Sequence, residues 1–316
     1  MEVAAYGPKA EEAVQEAEGQ IKALENKLSR TKADSDVSRV NHNGTTPTTG
    51  LTYGTRALLP AALEYRDATN GAFDITIAPV MDAWGFTGDS FRVPERSELD
   101  ELLKHVNSDE IQIQEEPAHS VTLGEGQAID LGGIAKGYTS DLVEQTFRAN
   151  GIESGKISLG GNVFVLGGKP DGSDWRVGIK DPRNESGLAA ILSLRDAYAI
   201  TSGGYERYFE ENGKTYHHII DPSTGYPADS GLLSVTVVAA DNGPDWAGAG
   251  NGAMCDAFST ALFVMGEEQA LDFWRNGGYD FDLVLVTEDG RVVITAGLAD
   301  RFEEVKDSGY TYETVS

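Results

Sequence analysis

The chain has 316 residues, 51 of them Asp or Glu against 25 Lys or Arg, for a formal charge of -26. So anionic a surface repels nucleic acid and anionic membranes, and requires that any anionic substrate be met by a metal ion or a few placed cations; the same acidity equally suits a solubility or salt adaptation. A 40% hydrophobic and 24% charged composition is that of a soluble globular protein, Cys255 alone excludes an intramolecular disulfide and a thiolate metal cage, and no apolar run approaches the ~18 residues of a membrane span.

Residues 1–6 are too few and too acidic for a secretory leader. Over residues 8–32, Ala10, Val14, Ala17, Ile21, Leu24 and Leu28 recur at three- and four-residue spacing among Glu, Gln and Lys, which predicts an amphipathic helix. Pro8 suits its first turn, and Glu11 and Glu12 suit the positive end of its dipole. Residues 34–50, rich in Ser, Asn, Thr and Gly, read as a loop. Further helices are expected over 52–69, 97–105, 137–150, 253–265 and 267–276. Strands are expected over 111–114, 119–123, 156–166, 175–180, 189–194, 198–201, 214–220 and 233–239. A hairpin follows in which 281–287 and 291–295 flank Glu288-Asp289-Gly290. Gly-rich residues 243–252 read as an extended surface loop. Strands and helices mix without regular alternation, which argues for an α+β fold over a doubly wound parallel one.

Four stretches could carry chemistry. Between Ala128 and Tyr138, Asp130, Gly132, Gly133 and Lys136 stand just before a helix, where glycine lets backbone approach a ligand and the helix start offers unpaired N–H groups. The spacing is neither a Walker A loop nor a dinucleotide-binding fingerprint, and a plain capped turn explains the segment as well. Asp256 and Thr260 are one helical turn apart, so both oxygens share a face, and a hard cation such as Mg²⁺ suits that pair. Taken alone, a capping Asp and a Thr bonded back to a carbonyl is the stronger account. His218 could accept a proton near neutral pH, with Asp221 orienting it or shaping the turn; His217 and His218, adjacent on a strand, face opposite ways and cannot chelate one metal together. The turn from Thr201 to Tyr205 reads either as ligand-binding hydroxyls or as a glycine bend.

Seven segments, taken in order, resemble the FAD:protein FMN transferases, the ApbE-type flavin transferases once described as thiamine-biosynthesis lipoproteins. They are residues 35–41, Gly71-Ala72-Phe73-Asp74, residues 130–138, Ser158-Leu159-Gly160-Gly161-Asn162, Thr201-Ser202-Gly203, residues 218–227 and residues 256–262. The resemblance implies one compact domain over residues 1–316, with mixed, mostly antiparallel sheets and flanking helices. It implies Mg²⁺ held by Asp256, Thr260 and the Gly133 carbonyl. It also implies FAD contacts from Ala72, Phe73, Asp74, Asp130, Lys136 and the Ile219 region, with Asn41 near the adenine. The implied reaction transfers FMN from FAD to a threonine hydroxyl of an acceptor protein and releases AMP, with Lys136 stabilising charge and His218 as base or orienter.

Two departures from the family pattern stand out. The family opens with a strand carrying a Met-Gly-Thr element that touches the flavin, whereas this chain reads Met1-Glu2-Val3-Ala4-Ala5-Tyr6-Gly7, so that strand is expected to be cut short and that contact missing or altered. Residues 241–254 make a longer loop than the family needs, and Trp246 with its glycines either covers the site or belongs to an inert insertion. Two other activities fit the same residues: a Mg²⁺-dependent FAD pyrophosphatase giving FMN and AMP, and an FAD-binding protein without catalysis. Relatives are expected to act outside the cytoplasm on membrane-associated redox proteins, through an anchor segment this chain lacks.

Overall fold

Runs of Val, Ile, Leu and Ala with two buried faces build the centre of a large sheet, seen in a computed structural model that describes residues 1–88, 90–115, 117–241 and 248–316, with the backbone alone for Glu185. Eight strands lie in the order Glu2–Tyr6, Ser154–Ser158, Asn162–Leu166, Ala197–Gly203, Leu232–Ala240, Asp282–Thr287, Arg291–Thr295 and Thr311–Val315. Each neighbouring pair is antiparallel except the last, which is parallel.

One face of this sheet, with Ile200, Val235, Val237 and Leu285, packs on helices Ala10–Leu28, Tyr53–Ala68, Ala135–Ala149 and Asn251–Met265 through Ala17, Leu58, Phe147 and Phe258. The other face, with Ala199, Val238, Val284 and Val292, packs on Trp175, Val177, Leu192 and Leu194 of a three-stranded sheet made by Phe302–Glu304, Asn184–Leu194 and Trp175–Asp181. A smaller aromatic cluster joins helix Ala78–Trp84 to the hairpin Tyr208–Glu211 and Lys214–His217: Trp84, Phe86, Phe209, Tyr216 and Tyr226 meet there. The α+β expectation and the long helices therefore stand. Among the described residues no helix is long and apolar enough to cross a membrane.

Several local readings are corrected. The loop expected at 34–50 contains a helix, Asp36–Asn43, begun by Ser35, whose hydroxyl accepts the Ser38 N–H at 2.9 Å. Its Asp36 carboxylate is fully buried and accepts from the Thr52 N–H and hydroxyl at 2.6 and 2.7 Å, so tertiary bonds hold a helix too polar to show a periodic pattern. The strand expected at 156–166 is two strands, because Gly160 and Gly161 turn the chain at φ 60° and 86°. At the sheet's border, Glu2–Tyr6 forms a five-residue edge strand paired with Ser154–Ser158. Of the expected surface loop at 243–252, residues 243–247, Trp246 included, lie outside the described residues. Gly250 and Gly252 are buried at the start of a helix, not exposed.

Candidate active site

The helices Ala135–Ala149 and Asn251–Met265 cross where Gly137 meets Gly252; a methyl on Gly137 would overlap the Gly252 carbonyl oxygen and lie 2.7 Å from the Asp256 Cβ. Neither helix caps its own start with a side chain. Each is capped by the other instead. Asp256 Oδ2 accepts the Gly137 N–H at 2.8 Å, and Asp141 accepts from Gly252 at 2.7 Å, Ala253 at 3.0 Å and Gly250 at 3.1 Å. Burial pushes the Asp141 carboxyl up to about 7, against the opposing pull of these N–H donors and of the Tyr198 hydroxyl.

This exchange shapes a donor set. In an uninterrupted helix the Gly137 N–H would bond to the Gly133 carbonyl four residues back. Here it goes to Asp256, and among the described residues no backbone N–H bonds to the Gly133 oxygen. Gly133 lies beside Thr260: a Cβ on Gly133 would come 3.6 Å from Thr260 Oγ1. Thr260 Oγ1 shares hydrogen bonds with Ser202 Oγ at 3.1 Å and with the Asp256 carbonyl at 3.4 Å, so the back-bonded threonine foreseen in the sequence exists and is weak. Asp256 Oδ1 takes no hydrogen bond among the described residues. One carboxylate, one hydroxyl and one carbonyl, with no cluster of three His, Cys, Asp or Glu among the described residues, is an all-oxygen set that fits Mg²⁺ and offers little to zinc.

These groups open on a cavity of about 340 Å³ walled by Ala72, Phe73, Asp74, Asp130, Gly133, Lys136, His218, Ile219, Asp256 and Thr260. The structure thus brings together all but one of the site residues expected from sequence. A larger cavity of about 500 Å³, walled by Tyr205, Tyr208, Tyr216 and Tyr226, lies on the His217 side and holds none of them, so size does not mark the site. The exception is Asn41. Its amide bonds the backbone of Ile129, donating at 3.0 Å and accepting at 2.8 Å, so it pins the segment leading to Asp130 and does not itself line this cavity. Asp74 is on the wall, yet Oδ1 accepts from Thr76 and from the Ser108 hydroxyl at 2.5 Å and Oδ2 from the Ser108 N–H at 3.1 Å, which suits it to shaping the wall.

His218 stands opposite the helix start. Its Nδ1 is 3.2 Å from the Arg207 carbonyl, which can only accept, so Nδ1 carries the proton and Nε2 keeps its lone pair. Burial, joined by the nearby positive charges of Lys136 and Arg207, lowers its pKa to about 4, so the ring is neutral at pH 7. His217 faces away as expected, bonded to the Ala228 carbonyl and the Ile219 N–H.

Sequence reasoning missed Arg30, Ser202 and Arg207 on this wall. Arg30 ties the helix Ala78–Trp84 to the glycine segment, bonding to Asp82 and Thr87 and lying 3.7 Å from Asp130; Arg207 donates to the Gly88 carbonyl at 3.0 Å. A lone arginine has no spacing signature. Ser202 was within a segment already singled out, and its bonds to Ser259 and Thr260 are what the sequence could not supply.

The comparisons with known proteins agree with this architecture. The chain is similar to a FAD:protein FMN transferase of Klebsiella pneumoniae (strain 342), 34% identical over 92% of this chain and 86% of that one. It is also similar to a FAD:protein FMN transferase of Treponema pallidum (strain Nichols), 32% identical over 90% and 80%. Among solved structures, the ApbE protein of Thermotoga maritima superposes with a TM-score of 0.80 at 33% identity, covering 96% of this chain and 92% of that one. The apo flavinyl transferase ApbE of Pseudomonas stutzeri does so at 0.75 and 29%, covering 95% and 87%. With residues 1–283 matching the family model as well, the chain belongs to the ApbE family.

Proposed function

We propose that this chain transfers FMN from FAD to a threonine hydroxyl of an acceptor protein and releases AMP, with Mg²⁺ held by Asp256, Thr260 and the Gly133 carbonyl. The observation that carries this reading is the convergence of that oxygen set, Lys136 and a neutral His218 on one cavity. The bound cation would supply charge neutralisation on the pyrophosphate oxygens. Lys136, in the first turn of its helix, adds a fixed positive charge beside the N-terminal end of that helix, where anions are favoured.

The bond formed runs from the acceptor hydroxyl oxygen to the phosphorus of the FMN half, and the bond broken joins that phosphorus to the bridging oxygen, which leaves with AMP. His218 Nε2 takes the hydroxyl proton, and its Nδ1–H bond to Arg207 holds the ring in the accepting tautomer. Phe73, Ile219 and Ala72 supply apolar wall for the rest of FAD.

Flavinylation of a threonine-bearing acceptor by the intact chain, with FAD and Mg²⁺, tests the reading. Asp256→Ala is expected to remove transfer, and undiminished transfer would sink the metal assignment. Rapid multiple-turnover release of AMP without acceptor would instead identify a pyrophosphatase.

A further inference from the structure

Asp141 lies outside the cavity, yet it is a fully buried carboxylate that receives three backbone N–H groups from the start of the helix bearing both Asp256 and Thr260. The bonds run to Gly250, Gly252 and Ala253, one turn before Asp256. A helix start that lacks its own side-chain cap frays or shifts unless another group takes its N–H groups. The contact leaves little slack. A Cβ on Gly252 would lie 2.5 Å from both Asp141 Oδ1 and the Gly137 carbonyl oxygen, so the capping carboxylate also seats the helix crossing. Across that crossing Asp256 reaches Gly137 and frees the Gly133 carbonyl. The Tyr198 hydroxyl, from the central sheet, holds Asp141 in turn.

We infer that Asp141 is a positioning residue for the cation site: by fixing the start of the Asn251–Met265 helix against the Ala135–Ala149 helix, it sets Asp256 and Thr260 in register with Gly133. This rests on the reading of Asp256 and Thr260 as cation donors. A neutral amide at 141 would turn an NH₂ group toward backbone N–H donors, loosening the helix start without emptying the core.

The test is calorimetric titration of the intact chain with Mn²⁺ in the presence of ADP as a non-transferring diphosphate, with thermal unfolding recorded alongside. Asp141→Asn is expected to weaken Mn²⁺ binding tenfold or more, and to raise the Mg²⁺ concentration needed for half-maximal transfer while most of kcat returns at saturating Mg²⁺. Tyr198→Phe, which leaves the carboxylate in place and removes one of its holders, is expected to weaken it two- to fivefold in a chain that folds normally. Mn²⁺ affinity within twofold of the parent in folded Asp141→Asn, or unchanged affinity in Tyr198→Phe should the first variant not fold, overturns the inference. Asp256→Ala separates the two levels: if that variant keeps full Mn²⁺ affinity, the cation site itself is misassigned, whereas loss there with none at Asp141 defeats only the positioning role.

Discussion

Gly137 and Gly252 meet backbone against backbone at the crossing of the two helices that build the site, each so close that a side chain on one would strike the carbonyl of the other. Gly137→Ala is therefore expected to destabilise the fold by about 1–3 kcal/mol through overpacking. Gly19→Ala, on the exposed face of the helix Ala10–Leu28 where a Cβ meets nothing within 4 Å, is expected to stabilise by roughly 0.5–1 kcal/mol. Urea midpoints for the pair read the contrast, and equal effects would deny the tight crossing.

Lys136 is expected to matter to rate rather than to folding. Lys136→Met should lower transfer by about a hundredfold, in line with loss of one charge-stabilising donor, and leave the thermal midpoint nearly unchanged. Lys136→Arg should recover part of the rate. Single-turnover transfer from FAD measures both, and a loss under threefold in Lys136→Met would remove the residue from the chemistry.

The pH dependence follows from His218. Its pKa falls from an ordinary 6.5 to about 4, chiefly by burial, so the proton-accepting form persists between those values. The acid limb of kcat/KM for FAD due to this residue is expected near pH 4 and not near 6.5. Stability runs the same way: between about pH 6.5 and 4 the unfolded chain binds a proton that the folded chain refuses, so lowering the pH through this window weakens the fold, and below about 4 the effect saturates. His218→Gln should flatten that part of the urea-midpoint profile. A limb that stays near 6.5 argues against the half-buried neutral ring.

Trp84 ties the aromatic cluster to the turn after His218 by donating from Nε1 to the Gly225 carbonyl at 2.7 Å. Trp84→Phe keeps most of the ring packing and strands that carbonyl, with an expected cost of about 1–3 kcal/mol. A rise in KM for FAD should accompany it, because Ile219 and Ile220 on the cavity wall lead into this turn. Denaturant unfolding and steady-state kinetics check the two effects, and an unchanged KM would uncouple the turn from the site.

The long helices were legible because their apolar spacing is regular, and the Asp256–Thr260 pair because helical spacing puts residues four apart on one face. What escaped the sequence depends on distant partners. Asp36–Asn43 is a helix because Thr52 and Thr55 bind a buried Asp36 carboxylate, and nothing in residues 34–50 announces that. Gly250 and Gly252 carry the composition of a loop, and only Asp141, more than a hundred positions earlier, turns them into a helix start. Thr311–Val315 is a short, largely polar edge strand whose identity comes from lying beside Arg291–Thr295. Within the site, the glycine segment and the Asp256–Thr260 pair were each ambiguous, and the cap exchanged between their helices is the feature that joins them.

The two borders of the eight-stranded sheet, Glu2–Tyr6 and Thr311–Val315, come from opposite ends of the chain, and the first pairs with Ser154–Ser158. Assembly must therefore close very long loops before the sheet is complete, a topology that slows refolding. During synthesis Glu2–Tyr6 would leave the ribosome well before its partner Ser154–Ser158. That unpaired edge is where a chaperone, or a second unfinished copy, would find its first purchase.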